Sequence, residues 1–164
     1  MPSLASQLKQ QGYDTLAFHP YKAHGWNRDT VYPLIGFDNF LDETSMNPNG
    51  EKFRGWYSDA EDYNKIIDIF NKKKAGQPLF LFNVTIQNHG GYLIADKNFK
   101  EEIKIKDEKA TDTANRYLSL IHESDRAFEK IINYFKNQKE PTIVVMFGDH
   151  QPKLEDSFYE LLLS

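Results

Sequence analysis

The sequence contains no cysteine, and this absence removes thiol catalysis, iron–sulfur clusters and cysteine-ligated zinc from the chemistry open to it. It also removes the disulfide pattern from which a redox compartment could be read. An excess of positive charge is missing too. Lys and Arg number 20 against 24 Asp and Glu, a net charge of −4, and they are scattered rather than gathered into a stripe, so no nucleic-acid partner is expected. No apolar stretch approaches the ~20 residues that span a bilayer, and the first residues lack the apolar core of a signal peptide. Internal repeats and low-complexity linkers are also absent. At 164 residues the chain reads as a single domain, 1–164, able to bury roughly 70% of its unfolded surface.

What is present is an alternation of strand-like and helix-like segments. Leu4, Ala5 and Leu8 followed by Gly12 predict a short amphipathic helix with a glycine stop. Asp14–Phe18 predicts a first buried strand that delivers His19-Pro20, and Leu79–Thr85 a second that ends at Asn88-His89-Gly90-Gly91. The run Thr142–Phe147 predicts a third, ending at Gly148-Asp149-His150. Between them, Ser58-Asp59-Ala60-Glu61 has the form of a capping box, with Ile66, Ile67, Ile69 and Phe70 at helical spacing behind it. The longest helix is marked by Ala114, Tyr117, Leu118, Ile121, Phe128, Ile131, Ile132 and Phe135. Residues 21–36 read as an irregular loop, 37–41 as a half-buried edge strand and 95–110 as a charged, solvated excursion. Strands separated by helical crossovers predict an α/β fold with a mostly parallel sheet sandwiched by helices.

In such a sheet, binding residues gather at the carboxyl ends of strands. The predicted ends carry His19, His89 and the Asp149-His150 pair. An adjacent carboxylate and imidazole suit a hard or borderline divalent metal, whereas Gly-Asp at a strand end is also an ordinary turn. Trp26-Asn27-Arg28 places a flat apolar face and a guanidinium fork two residues apart, a combination suited to an anionic phosphoester on a polyol. The competing reading is a loop anchored by a buried Trp26, with Arg28 paired to Asp29 or Asp38. His122 lies within the longest helix, and His24 has no acid beside it in sequence, so both are weaker candidates.

The ordered set Phe18-His19, Trp26-Asn27-Arg28-Asp29, Gly36-Phe37-Asp38, Ser58-Asp59, Thr85-Ile86-Gln87-Asn88-His89-Gly90 and Gly148-Asp149-His150-Gln151-Pro152 resembles the lipoteichoic acid synthase group of the sulfatase family. The resemblance covers nearly the whole chain. It implies an alkaline-phosphatase-like α/β fold and a manganese-type divalent ion that activates a threonine to attack phosphatidylglycerol, passing glycerol phosphate to a growing polymer. By the same resemblance, Asp149 and His150 match metal ligands, and His19, Trp26, Arg28 and His89 match residues that hold the glycerol phosphate group.

The family's nucleophilic threonine and a further acidic ligand have no counterpart among these residues, and Gly91 stands where relatives often have proline. The expectation is therefore the C-terminal part of a sulfatase-like catalytic domain. The rest of that enzyme would be anchored in a bacterial membrane with its catalytic domain outside the cell; a genuinely short homologue is the alternative. Phosphoethanolamine transfer, glucan decoration, sulfate- or phosphate-ester hydrolysis and a noncatalytic module that binds anionic ligands stay open as functions.

Overall fold

Ser3 starts the first helix by accepting the Ser6 amide proton on its hydroxyl at 3.0 Å, while the Ser6 hydroxyl accepts from the Ser3 amide at 2.9 Å. This reciprocal cap precedes α1 (Leu4–Gln10). The helix closes where Gly12 turns left-handed at φ +88 and the Gly12 and Tyr13 amides bond back to Lys9 and Leu8. The computed structural model of the protein describes residues 2–93, 97–107 and 110–163. They fall into two compact units, one of Met1–Glu51 with Glu61–Ile86, the other of Lys52–Ala60 with Gln87–Ser164.

The first unit is built on a three-stranded sheet in which β1 (Asp14–Phe18) lies between β2 (Asn39–Leu41) and β5 (Leu79–Asn83), every pairing parallel. The register sets Ala17 beside Phe40 and Phe82, and Thr15 beside Phe80, so these residues share one face. Ala5 of α1 and Tyr32 of α2 (Arg28–Leu34) cover that face together with Phe37. Gly36 joins α2 to β2 at φ +106, and a Cβ there would lie 2.8–2.9 Å from Ser6. Only glycine meets both conditions. Asn83 points to the opposite face and donates to Asp62 of α3 (Asp59–Lys72) at 3.2 Å. The irregular loop expected at 21–36 therefore contains a helix. Arg28–Leu34 winds despite Pro33, because its Schellman-type end and the burial of Tyr32 outweigh the local signals.

The second unit holds the hairpin β3 (Lys52–Phe53) and β4 (Trp56–Tyr57), the long helix α4 (Asp112–Lys136) and the C-terminal α5 (Asp156–Leu163). Phe53, Tyr92, Phe99 and Leu120 form its apolar core, with Tyr117 and Leu154 packed against it. The excursion expected to be solvated over 95–110 falls partly outside the described residues. Where it is described, it docks along α4. Ser119 Oγ accepts from Ile103 N–H at 2.9 Å, and Asn115 Oδ1 from Ile105 N–H at 2.8 Å. Arg116, nearly buried, donates from Nε to Glu101 at 2.6 Å and from a terminal nitrogen to the Tyr92 carbonyl. Burial works to raise the Glu101 carboxyl, but the bonds from Arg116 and Lys104 outweigh it and hold the pKa below the usual carboxylate range. Charge along this segment thus reflects pairing with the helix rather than a free solvated face.

The third predicted strand is not formed. Residues 141–148 have no regular structure and are exposed, with Ile143 at 92% and Phe147 at 72%. A strand persists only where a neighbouring strand takes up its backbone donors and acceptors, and among the described residues none pairs with this run. The placement of Asp149-His150 at the end of a central strand fails with it.

Candidate functional site

The candidate residues divide between the two units. In the first, His19 follows β1 directly and is 1% exposed. Its amide donates to the Leu41 carbonyl at 3.0 Å, which carries the β1–β2 pairing one residue further. Its ring Nδ1 lies 2.6 Å from the Val84 carbonyl. A carbonyl only accepts, so Nδ1 carries a proton and donates it to Val84.

Seven residues on, the chain reverses through Trp26 at φ 58 and Asn27 at φ 51, two consecutive left-handed residues without a glycine between them. Trp26 is 84% exposed. It is therefore not the buried anchor of the competing reading. Nor, among the described residues, is Arg28 committed to a carboxylate: its Nη1 donates to the Gly25 carbonyl at 3.0 Å, Asp38 pairs with Lys9, and Asp29 pairs with His24. Burial pushes the Tyr32 phenol up, and the Arg28 guanidinium one helical turn away offsets this by charge and hydrogen bond. The loop thus carries an exposed indole and, two residues on, a guanidinium at a strained turn, a conformation that ordinary packing does not require.

His24 departs from expectation. Its Nδ1 sits 2.6 Å from Asp29 Oδ2, so it does have an acid partner. The acid lies five residues away, across the left-handed turn, and no neighbour in sequence could reveal it.

In the second unit, His89 is exposed beyond β5. Its ring meets Trp56 edge-on, with centroids 5.2 Å apart and planes at 78°. The backbone leading to it is fixed by a buried polar network that the sequence reading missed. Gln87 Oε1 accepts the Asp59 amide at 2.9 Å, while Gln87 Nε2 donates to the Leu120 carbonyl and to Ser124 Oγ, each at 3.0 Å. Asn88 Nδ2 donates to Ser124 Oγ at 2.7 Å, and that hydroxyl donates to Asp59 Oδ2 at 2.5 Å. Such a network rigidifies a loop because each polar atom, once desolvated, is costly to release. Its sequence signal was present in Ser58-Asp59 and Gln87-Asn88, but the partner Ser124 lies in a helix with no motif around it.

Asp149 and His150 stand together in the same unit, His150 Nε2 3.6 Å from Asp149 Oδ2, with side chains 75% and 78% exposed respectively. His89 is not among their contacts. The donor types suit manganese or a similar divalent ion. Two donors are fewer than such an ion requires, and among the described residues no group of three or more His, Asp or Glu side chains is assembled. The pair fits a contribution to a metal shell and does not complete one. On its C-terminal side the chain is anchored where Glu155 accepts from Thr111 at 3.0 Å and from Thr113 at 2.5 Å. The Thr113 bond, first among several, holds the Glu155 carboxyl below its usual range.

The chain belongs to the sulfatase family: the sulfatase profile matches residues 1–162. Within that family it is 35% identical over 157 residues to a cyclic β-1,2-glucan modification protein of Rhizobium meliloti (strain 1021), a match that covers 94% of this chain. Among solved structures it resembles the lipoteichoic acid synthase LtaP from Listeria monocytogenes, with a TM-score of 0.73 and 25% identity over 84% of the chain. It also resembles the Streptococcus pyogenes phosphoglycerol transferase GacH in complex with sn-glycerol-1-phosphate, with a TM-score of 0.59 and 25% identity over 79%. The expected fold class is thereby established. The chain spans 24% of the glucan-modification protein and about a third of each solved chain, 33% and 34%.

Proposed function

We propose that the chain is part of a metal-dependent enzyme that transfers glycerol phosphate from a phosphatidylglycerol-like donor to a bacterial cell-surface polymer. In this reading the catalytic domain works outside the membrane. The observation that carries it is the exposed, left-handed Trp26 two residues before Arg28, which among the described residues pairs with no carboxylate. A phosphoester on a small polyol matches that pair: the guanidinium fork meets two phosphoryl oxygens and the indole covers the carbon face. His19, its ring held by the bond from Nδ1 to the Val84 carbonyl, is a candidate donor to a phosphoryl oxygen when the ring is doubly protonated, and His89, exposed in the second unit, is the other imidazole candidate. Likeness to a phosphoglycerol transferase solved with sn-glycerol-1-phosphate supports the same ligand class.

Asp149 and His150 would contribute two ligands to a divalent ion, with manganese the candidate. A bound ion of this kind neutralises phosphoryl charge and lowers the pKa of a hydroxyl nucleophile. The nucleophile and the remaining ligands are proposed to come from outside these 164 residues.

A second reading concerns the acceptor. The 35% identity to a glucan-modification protein favours a glucan as the polymer that receives the group. Turnover of phosphatidylglycerol by the full-length protein in manganese tests both readings. Asp149→Ala and His150→Ala should abolish turnover while the protein stays folded, and product analysis with teichoic-type and glucan acceptors identifies the polymer. Wild-type turnover in both variants at limiting manganese would remove the metal role. Glycerol phosphate binding by the full-length protein without any turnover would instead support a noncatalytic binding module.

A further inference from the structure

The β3–β4 hairpin turns through Arg54 at φ +55 and Gly55 at φ +85, a two-residue loop whose first position favours Asn, Asp or Gly. Arginine there is disfavoured by roughly 1–2 kcal/mol, so a backbone preference does not explain it. Its side chain makes contacts that none of those residues could. Arg54 Nη2 donates to the Gln87 carbonyl at 2.9 Å and to the His89 carbonyl at 2.7 Å. The guanidinium carbon lies 5.0 Å from the Trp56 ring centroid and 5.2 Å from that of Tyr92.

Trp56, on the far side of the same turn, is the residue whose ring meets His89 edge-on. The side chain of Gln87 is held independently by Asp59, Leu120 and Ser124. One guanidinium nitrogen therefore ties together two carbonyls that flank Asn88, and the chain enters and leaves that residue at fixed points. Stacking on Trp56 and Tyr92 keeps the guanidinium in place.

We propose that Arg54 is a positioning residue for His89, fixing its backbone through the two carbonyls while Trp56 orients the imidazole. The proposal rests on the reading of His89 as a contact for an anionic phosphoester. It assigns Arg54 to the loop rather than to the phosphate. Lysine would retain the charge and lose the stacked, planar fork. Glycine would suit the left-handed turn and release both carbonyls.

The test uses protein labelled at histidine Cε1, with the His89 cross-peak identified by its loss in His89→Ala. In Arg54→Gly that cross-peak should move away from the position set by the Trp56 ring current, with the thermal midpoint close to wild type because glycine relaxes the turn. Arg54→Lys should move it in the same direction by less, and Trp56→Leu should move it by removing the ring current itself. The dissociation constant for sn-glycerol 1-phosphate should rise about tenfold in Arg54→Gly, the scale of one lost charge-assisted contact. An unmoved His89 cross-peak in both Arg54 variants overturns the positioning role. Wild-type affinity in His89→Ala would overturn the reading of His89 as a ligand contact, and the cross-peak shift would still decide the role of Arg54.

Discussion

Replacing Trp26 by glycine separates a ring kept for binding from a ring kept for packing. With 84% of the residue exposed, about a sixth of a side chain that can bury about 250 Å² is out of water, about 40 Å² or ~1 kcal/mol at 25 cal/mol per Å². Against that loss, glycine relieves the left-handed strain at φ 58 by about 1 kcal/mol. Its added freedom in the unfolded chain then costs about 0.5–1 kcal/mol. The net expectation is a loss of about 1 kcal/mol or less, read as a small shift of the urea midpoint with an unchanged slope. Affinity for sn-glycerol 1-phosphate should fall about tenfold, because the indole face over the glycerol carbons is gone. A stability loss of about 3 kcal/mol or more would be the signature of a core aromatic and would refute the reasoning; unchanged affinity would refute it from the other side.

Two further outcomes concern the second unit. Arg116→Ala leaves Glu101 and the Tyr92 carbonyl without the guanidinium that joins them, and breaking one side of a buried pair should cost about 3–5 kcal/mol in denaturant unfolding; a loss below about 1 kcal/mol would show the pair to be solvated. Glu101 and Glu155 both have carboxyls held below the usual range in the folded state, so the unfolded chain takes up protons first as pH falls. Their contribution is complete above the ordinary carboxylate pKa, about 4.5, and is lost as pH drops through the lower folded values. Acid titration of the unfolding free energy should show this decline, and Glu101→Gln should make it shallower. A decline that begins near neutrality would contradict the assignment.

Much of the fold could be read from local pattern. Asp14–Phe18 and Leu79–Asn83 form the expected strands because each is a short apolar run closed by turn residues, and Asp112–Lys136 is helical where the 3.6-residue periodicity lies. The hairpin at 52–57 escaped notice because its strands are two residues each, too short for alternation to register, although Arg54-Gly55 between aromatic residues was a turn signal. Residues 142–147 misled in the other direction. Their composition is that of a strand, but a strand is a property of pairs, and composition cannot supply the neighbour. For the site, residue types and order pointed to His19, Trp26, Arg28, His89, Asp149 and His150. What could not be read were the partners that orient them. Val84, Asp29 and Ser124 act through a carbonyl, a carboxylate across a left-handed turn and a helix hydroxyl, none of which carries a motif.

The central claim is that Trp26 and Arg28 form a pocket for the glycerol phosphate group, and titration of sn-glycerol 1-phosphate followed at the Trp26 indole N–H tests it most directly. The resonance is identified by its loss in Trp26→Gly. The account predicts a saturable shift of that resonance and about tenfold weaker binding in Arg28→Ala, with the loss largest at low salt, where a guanidinium–phosphate contact is least screened. An indole resonance that stays in place through the titration, or equal affinity in wild type and Arg28→Ala, would contradict it.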